Sequence, residues 1–433
     1  MPLSTESTDS LNSSELKRTG FFRLWTGETL SLAGAQITHF AIPLMAVLLL
    51  DADSWDMGLL AAAGSAATLV FGLSAGVLAD SYERRNVMQW ANVARALLLL
   101  AVPALWYLGQ LGMWMLLAIT FAVGALTLLF DSAMSAYLPR LVGKRHLAPA
   151  NSWMEGSAAV GEVAGPGLAG VLVQTLGAPL AVLLDALSYL GSAIALRRLP
   201  RAAPESRTEL RRPHFKAAVD GLRLLARDRI QRPLAAAAAH FNFFTAMFFA
   251  LYTLYVVKIL GFSPFVLGLF SVAGGIGGLL GSIAATRISR RFGYGVPLAV
   301  AYALPGIAAL FVPLAEGRGK SAAFVMVALS QFCWVLAVVV NLVLSQTIKQ
   351  SLVPDPMLGR VTSAIRFVTW GVEPFGALLA GFIGGSLFGI RATLTVAAIG
   401  LMTSALWPLT AAVRRLRTLP EAVNASTDPT KET

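Results

Sequence analysis

Twelve apolar segments, each about 20–27 residues long, follow one another from residue 22 to residue 412. Their approximate limits are 22–50, 58–80, 86–108, 112–136, 150–175, 178–197, 233–257, 264–286, 295–313, 321–348, 361–386 and 390–412. A helix needs about 20 apolar residues to cross the hydrocarbon core of a bilayer. Lipid offers no partner to a free peptide group, so apolar segments of this length must satisfy their own backbone as helices. The chain is 56 % hydrophobic and 13 % charged, where a soluble domain carries about 25 % charged residues. The expected fold class is an all-α polytopic membrane protein with twelve transmembrane helices.

The loops alternate in charge. One set holds Glu83-Arg84-Arg85, Arg140, Lys144, Arg145, the stretch from Arg197 to Arg232, Arg287, Arg290, Arg291, Lys349, Arg360 and the Arg414–Arg417 tail. The opposite set is poor in cations. Of the 34 Lys and Arg, only Lys258, Arg318, Lys320 and Arg391 fall on that side, and Arg95 and Arg366 lie within segments. Positive loops stay in the cytoplasm, so both termini are expected there, with the protein in the cell (cytoplasmic, or inner) membrane. The net charge of +11 is spread between segments rather than gathered on one face, so no nucleic-acid partner is expected. Cys333 is the only cysteine, which excludes an internal disulfide and any cysteine metal site. Residues 1–20 are polar and lack the apolar core of a signal peptide, so they are expected to form a cytoplasmic tail.

Residues 198–232 form the one long polar loop, and they divide the chain into six segments plus six. Phe215, Ala218, Val219, Leu222, Ala226 and Ile230 recur there at helical spacing, opposite Lys216, Asp220, Arg223, Arg227 and Asp228. This predicts an amphipathic helix along the inner membrane surface. The expected organisation is a tail (1–20), a six-helix bundle (21–197), the linker (198–232), a second bundle (233–413) and a C-terminal tail (414–433). The halves also repeat. A shift of 211 residues places Leu147 on Leu358, Ser152 on Ser363, Glu162 on Glu373, Gly165 on Gly376 and Gly170 on Gly381. With a slightly different shift Gly72, Gly76 and Arg85 fall on Gly277, Gly281 and Arg290. Two pseudo-symmetric halves in the same orientation mark a parallel-repeat secondary transporter.

Two motifs carry a more specific reading. Gly76-Val-Leu-Ala-Asp80-Ser-Tyr-Glu-Arg84-Arg85 closes the second segment, and its second-half counterpart has Ala285 at the acid position. Gly161-Glu162-Val-Ala-Gly165-Pro166-Gly-Leu-Ala169-Gly170 lies in the fifth. There the small residues allow close helix approach and the proline bends the rod. The second half has Ala377 in place of Pro166, so the bend is expected in the first half alone. The Gly76–Arg85 motif resembles the loop motif of the major facilitator superfamily, with Glu83 where that family usually has glycine. The Gly161–Gly170 motif is similar to the fifth-helix motif of its proton-driven exporters. Phe130-Asp131, Leu138-Pro139, Ala150-Asn151-Ser152, Val353-Pro354-Asp355 and Gly359-Arg360-Val361 are similar to the branch of macrolide, drug and siderophore exporters. The resemblance implies a latch role for Gly76, Asp80, Arg84 and Arg85 on the outward-facing state. It implies an antiporter-like role for Gly161, Gly165, Pro166 and Gly170. Where many relatives carry an acid after the first-span glycine, this chain has Gly34-Ala35.

Ionisable residues within the segments are costly in lipid and are functional candidates by default. Glu162 and Glu373, Asp185, Asp131 and Glu28 are the candidate proton carriers. The first, fourth, seventh and tenth helices line the cavity in the family that the chain resembles. His39, Phe40, His240, Phe241, Asn242, Trp334, Asn341 and Arg366 are accordingly candidate cavity contacts, with interior packing as the alternative for each. His39 and His240 in particular read as hydrogen-bonded interior residues. Arg95 and Arg366 need partners that the sequence does not name. Gly319-Lys320-Ser321 lacks the upstream glycine of a phosphate-binding loop, which would fall at Leu314. No metal cluster and no nucleophile arrangement is present either, so no enzyme activity and no cofactor is expected. The expected function is alternating-access export of an amphipathic small molecule, such as a drug, driven by the proton gradient. Its expected partners are that molecule, protons and the lipid bilayer, with the chain working as a monomer. An importer or facilitator of a small metabolite is the alternative.

Overall fold

The computed structural model describes residues 19–72, 82–200, 223, 225–352, 355–386 and 388–416. Twelve helices are long and apolar enough to cross a membrane. They are α1 (Phe21–Leu49), α2 (Ser54–Phe71), α3 (Arg84–Tyr107), α4 (Met113–Val142), α5 (Leu147–Leu176) and α6 (Ala178–Arg197) in the first half. The second half contains α7 (Gln231–Ile259), α8 (Pro264–Phe292), α9 (Gly295–Leu314), α10 (Lys320–Leu352), α11 (Ala364–Gly384) and α12 (Gly389–Leu406).

Local chemistry sets the ends of these rods. Asp53 and Asp56 form a reciprocal cap on α2, the Asp56 N–H donating to Asp53 Oδ1 at 2.9 Å. Two orphan donors of the first turn are satisfied in this way. Ser263 accepts from the Val266 N–H at the start of α8, with Pro264 in the first turn. α5 and α6 are joined by Gly177 alone, at φ 84°, a left-handed conformation open to glycine at little cost.

Within each half the same neighbours recur. α1 packs on α5 and α6, α3 on α4 and α6, and α2 on α4; six helices later α7 packs on α11 and α12, α9 on α10 and α12, and α8 on α10. The halves meet chiefly along two seams, α2 against α11 and α5 against α8, which the repeat relates to each other.

The apolar core shows where the halves are joined. One buried cluster draws on both halves, through Met45 and Leu60 of the first and Leu251 and Leu394 of the second. It fills the end of the bundle remote from the termini. At the termini end there are two separate clusters. One contains Phe21, Met88, Phe130 and Tyr137, the other Leu234, Leu298, Leu344 and Val413. Among the described residues, neither reaches across. Among the described residues, the core shared by the halves lies at the far end, and the clusters at the termini end each stay within one half.

α5 runs unbroken from Leu147 to Leu176 with Pro166 inside it. In the second half, helical residues Asp355–Trp370 stop and a new segment begins at Glu373–Gly384, with Pro374 in its first turn. A proline at that position gives up a donor that has no intrahelical partner in any case. In the linker, Ala226 is exposed and Leu225 is buried against α7 and α11. The rest of the expected amphipathic helix lies outside the described residues.

Candidate functional site

A cavity of about 520 Å³ lies between the halves. α1 contributes Ala35, Thr38 and His39 to its wall, α4 contributes Thr127 and Asp131, and α6 contributes Asp185 and Tyr189. The second half adds Phe249 from α7 and Trp370 and Glu373 from the interruption in α11. Three carboxylates and a histidine from four helices therefore face one space.

Each acid is held differently. Asp185 is 1 % exposed. Its Oδ2 accepts from the Thr38 hydroxyl at 2.5 Å and its Oδ1 from the Ser188 hydroxyl at 3.1 Å. Gly34 makes this possible, because a Cβ there would stand 3.0 Å from Asp185 Cα. α6 thus brings a carboxylate against α1 at Gly34 and Thr38. Glu373 begins the second segment of α11, where the positive end of the helix dipole favours an anion. Asn242 of α7 donates from its Nδ2 to Glu373 Oε1 at 3.4 Å and to the Thr369 carbonyl at 3.1 Å. The same side chain orients the acid and satisfies a carbonyl beside the break. Asn242→Ala is expected to cost about 1–3 kcal/mol, the penalty of a buried acceptor left bare, read as a lower thermal midpoint in detergent.

Arg95 is the cation of the first half. It is 4 % exposed on α3, and its guanidinium donates to Thr127 Oγ1 at 3.2 Å and to Asn92 Oδ1. It also lies over the rings of Tyr189 at 4.2 Å and Phe130 at 4.6 Å. Glu28, Asp131 and Asp185 all stand within its electrostatic reach. Among the described residues no carboxylate pairs with it directly. A buried charge is tolerated when hydrogen bonds and nearby opposite charge offset its lost hydration, and Arg95 has both. Glu28 Oε2 is buried without a hydrogen-bond partner.

The other expected residues divide. Glu162 is exposed on α5 and is not part of the cavity wall. It therefore differs from its repeat partner Glu373, which is half-buried. Arg366 stacks over Trp370 at 4.9 Å and reaches Asp131 electrostatically. His240 turns to α12, with Nε2 2.9 Å from the Gly400 carbonyl and 3.1 Å from Thr403 Oγ1, so it is an interior packing residue. Phe241 and Trp334 belong to an aromatic cluster with Tyr302, Phe248 and Phe249. Asn341 accepts from the Ser345 hydroxyl at 3.3 Å, and Phe40 packs against the shared core. Thr38, Tyr189, Phe249 and Trp370 are wall residues that periodicity did not single out. Trp370 had one available signal, the Gly371 that follows it.

The two motifs also separate. Gly76 and Asp80 lie outside the described residues. Arg84 opens α3. Arg85 reaches across to the end of α6, donating to the Leu199 carbonyl at 2.8 Å. Glu83 takes an ordinary φ of −66° before α3, so the turn does not require the glycine that the family usually has. In the fifth helix Gly165 lies against Gln36 of α1, where a Cβ would stand 2.6 Å from Gln36 Cβ. Gly170 lies against Gly268 of α8, where a Cβ would stand 3.0 Å from Gly268 Cα. The Pro166 carbonyl faces Gly268 as well. Gly161 has open space around it.

Known proteins share this arrangement. Over 371 residues the chain is 28 % identical to the multidrug efflux pump Tap of Mycolicibacterium fortuitum, covering 83 % of this chain and 88 % of that protein. It is 25 % identical over 436 residues to the enterobactin exporter EntS of Shigella boydii, covering 96 % and 98 %. In structure it is similar to a bacterial homologue of the iron transporter ferroportin in its inward-facing state, with a TM-score of 0.71 at 16 % identity over 91 % of this chain and 98 % of that one. The Major Facilitator Superfamily model matches residues 24–372. With twelve helices in two repeat-related sets and a cavity between them, the chain belongs to the Major Facilitator Superfamily and is a membrane transporter, not an enzyme.

Proposed function

We propose that this protein exports an amphipathic small molecule, a drug or a compound of similar character, in exchange for protons. The observation that carries the proposal is the convergence of Asp131, Asp185 and Glu373 on one cavity between the two halves. A carboxyl group in such a place is costly as an anion and passes between a protonated and an ionised form as the site opens to one side or the other. The cavity volume falls within the range of small-molecule sites, roughly 300–1,000 Å³. Aromatic side chains and carboxylates on the same wall suit a molecule with both apolar and polar parts. The relatives named as an efflux pump and an exporter support the outward direction.

The basic loops at the termini end support a cytoplasmic position for that end. The shared core at the opposite end then acts as the outer gate. Moving one proton charge across 100 mV supplies roughly 2.3 kcal/mol, about a 50-fold gradient. The test is efflux of a fluorescent amphipathic drug from proteoliposomes with an imposed proton gradient. Efflux is expected to stop when an uncoupler collapses the gradient; efflux that continues at the same rate would remove proton coupling.

A further inference from the structure

A groove of about 1030 Å³ lies away from the transport cavity, on the outer face of the second half. α10 packs on both α8 and α9, which scarcely touch each other, so α10 forms a floor between two walls. Leu336, Ala337 and Val340 supply the floor, and Val296, Val300 and Leu304 line the α9 wall. Val296 and Val300 are 52 % and 57 % exposed, on the side a bilayer would cover. From Val296 to Leu304 the apolar wall runs about 12 Å along the helix.

Four arginines sit at the mouth of this groove, Arg290 and Arg291 at the end of α8 and Arg414 and Arg415 after α12. The second pair is fixed in place. The Tyr294 and Gly295 N–H groups both donate to the Leu416 carbonyl, at 2.9 and 3.2 Å, and Val413 is fully buried. Gly295 leaves room for the returning chain, since a Cβ there would stand 2.7 Å from the Arg414 carbonyl oxygen. Among the described residues, no carboxylate pairs with any of the four. Arg291 stands 5.5 Å from the ring centre of Phe292. The related groove of the first half, about 490 Å³ between α3 and α4, is lined among the described residues by Val87, Trp90 and Leu129, with Glu83 at its mouth.

We infer that the α8–α9 groove is a binding site for an anionic phospholipid, its phosphate held by the four arginines and an acyl chain lying along α9 and α10. Charge and shape select this occupant. A free phosphate would use the arginines and leave the 12 Å slot exposed, and a zwitterionic lipid would carry no net charge to the cluster. Basic pockets between transmembrane helices on the cytoplasmic side bind such head groups.

Native mass spectrometry of the full-length protein in detergent provides the test. The probes are a phosphatidylglycerol and a phosphatidylcholine with the same chains, and inorganic phosphate as competitor. Each cation near an anionic lipid surface contributes about fivefold in affinity. Arg290→Gln with Arg414→Gln should therefore weaken phosphatidylglycerol binding roughly 30-fold and leave phosphatidylcholine binding unchanged. Val300→Trp, which fills the slot and keeps every arginine, should weaken phosphatidylglycerol binding as well. Unchanged phosphatidylglycerol affinity in both variants overturns the inference. So does equal affinity for the two lipids in the wild type, or displacement of the lipid by millimolar phosphate, which would mark a site for free anions.

Discussion

Asp185→Asn should remove the ability to move substrate uphill while leaving downhill movement intact. Asp185 faces the cavity, and its carboxylate is held by Thr38 of α1 and Ser188 of its own helix. Asparagine has the same shape; its one carbonyl oxygen accepts from one of the two hydroxyls and its amide nitrogen donates to the oxygen of the other, so the site should keep its form. It cannot take up or release a proton, and the coupled step is lost. In proteoliposomes, accumulation driven by a proton gradient should fall at least tenfold, about 1.4 kcal/mol or more of lost coupling. Exchange down a substrate gradient should change little. Glu373→Gln is expected to act in the same direction, because Glu373 shares the cavity wall. Glu162→Gln should have a smaller effect, since Glu162 is exposed and outside that wall. Gradient-driven accumulation unchanged in both Asp185→Asn and Glu373→Gln would remove these acids as proton carriers.

The difference between the two glutamates marks how far the sequence could be read. Hydropathy located every helix, because lipid forces long apolar segments into helices whatever their neighbours are. The repeat then paired Glu162 with Glu373, which is correct as register. Register does not fix environment, however. α5 continues through Pro166, whereas α11 stops before Glu373 and restarts with Pro374 in its first turn. The acid of the second half thereby becomes a helix-start residue at the cavity, and that of the first half remains an exposed residue on an unbroken rod. Proline identity alone could not say which of the two would interrupt its helix, because packing against neighbours decides that.

Arg95 was legible as a buried cation in need of partners, but its partners were not. They come from Thr127 and Asn92 together with two aromatic rings, and only Asn92 is near it in sequence. The contact of Asp185 with α1 is likewise a tertiary fact, since it depends on Gly34 admitting α6 to close approach.

The small-residue motif is where sequence and structure together give a sharper result. Gly58→Leu on α2 and Gly170→Leu on α5 should each prevent closure at the far end of the bundle. At Gly58 an added Cβ would stand 2.7 Å from Gly381 Cα, and at Gly170 it would stand 3.0 Å from Gly268 Cα. In both places the obstacle is the backbone of the other half, which cannot turn aside as a side chain can. Overpacking of this kind costs typically 1–3 kcal/mol. Here it would burden only the state in which these helices touch. Conformations of a transporter differ by a few kcal/mol, so the balance should shift by roughly 5- to 150-fold toward the state open at the far end. Ser54 provides the reporter, because it is 6 % exposed and lies against Gly381 and Gly384 in the closed seam. With Cys333→Ser as background and Ser54→Cys added, a membrane-impermeant thiol reagent applied from the far side should label the Gly170→Leu protein several-fold faster. Gly161→Leu is the control within the same motif, since Gly161 has nothing within 4 Å of an added Cβ. Its labelling should match that of the parent. Equal labelling in the Gly170→Leu and Gly161→Leu proteins would show that the fifth-helix glycines do not form the seal.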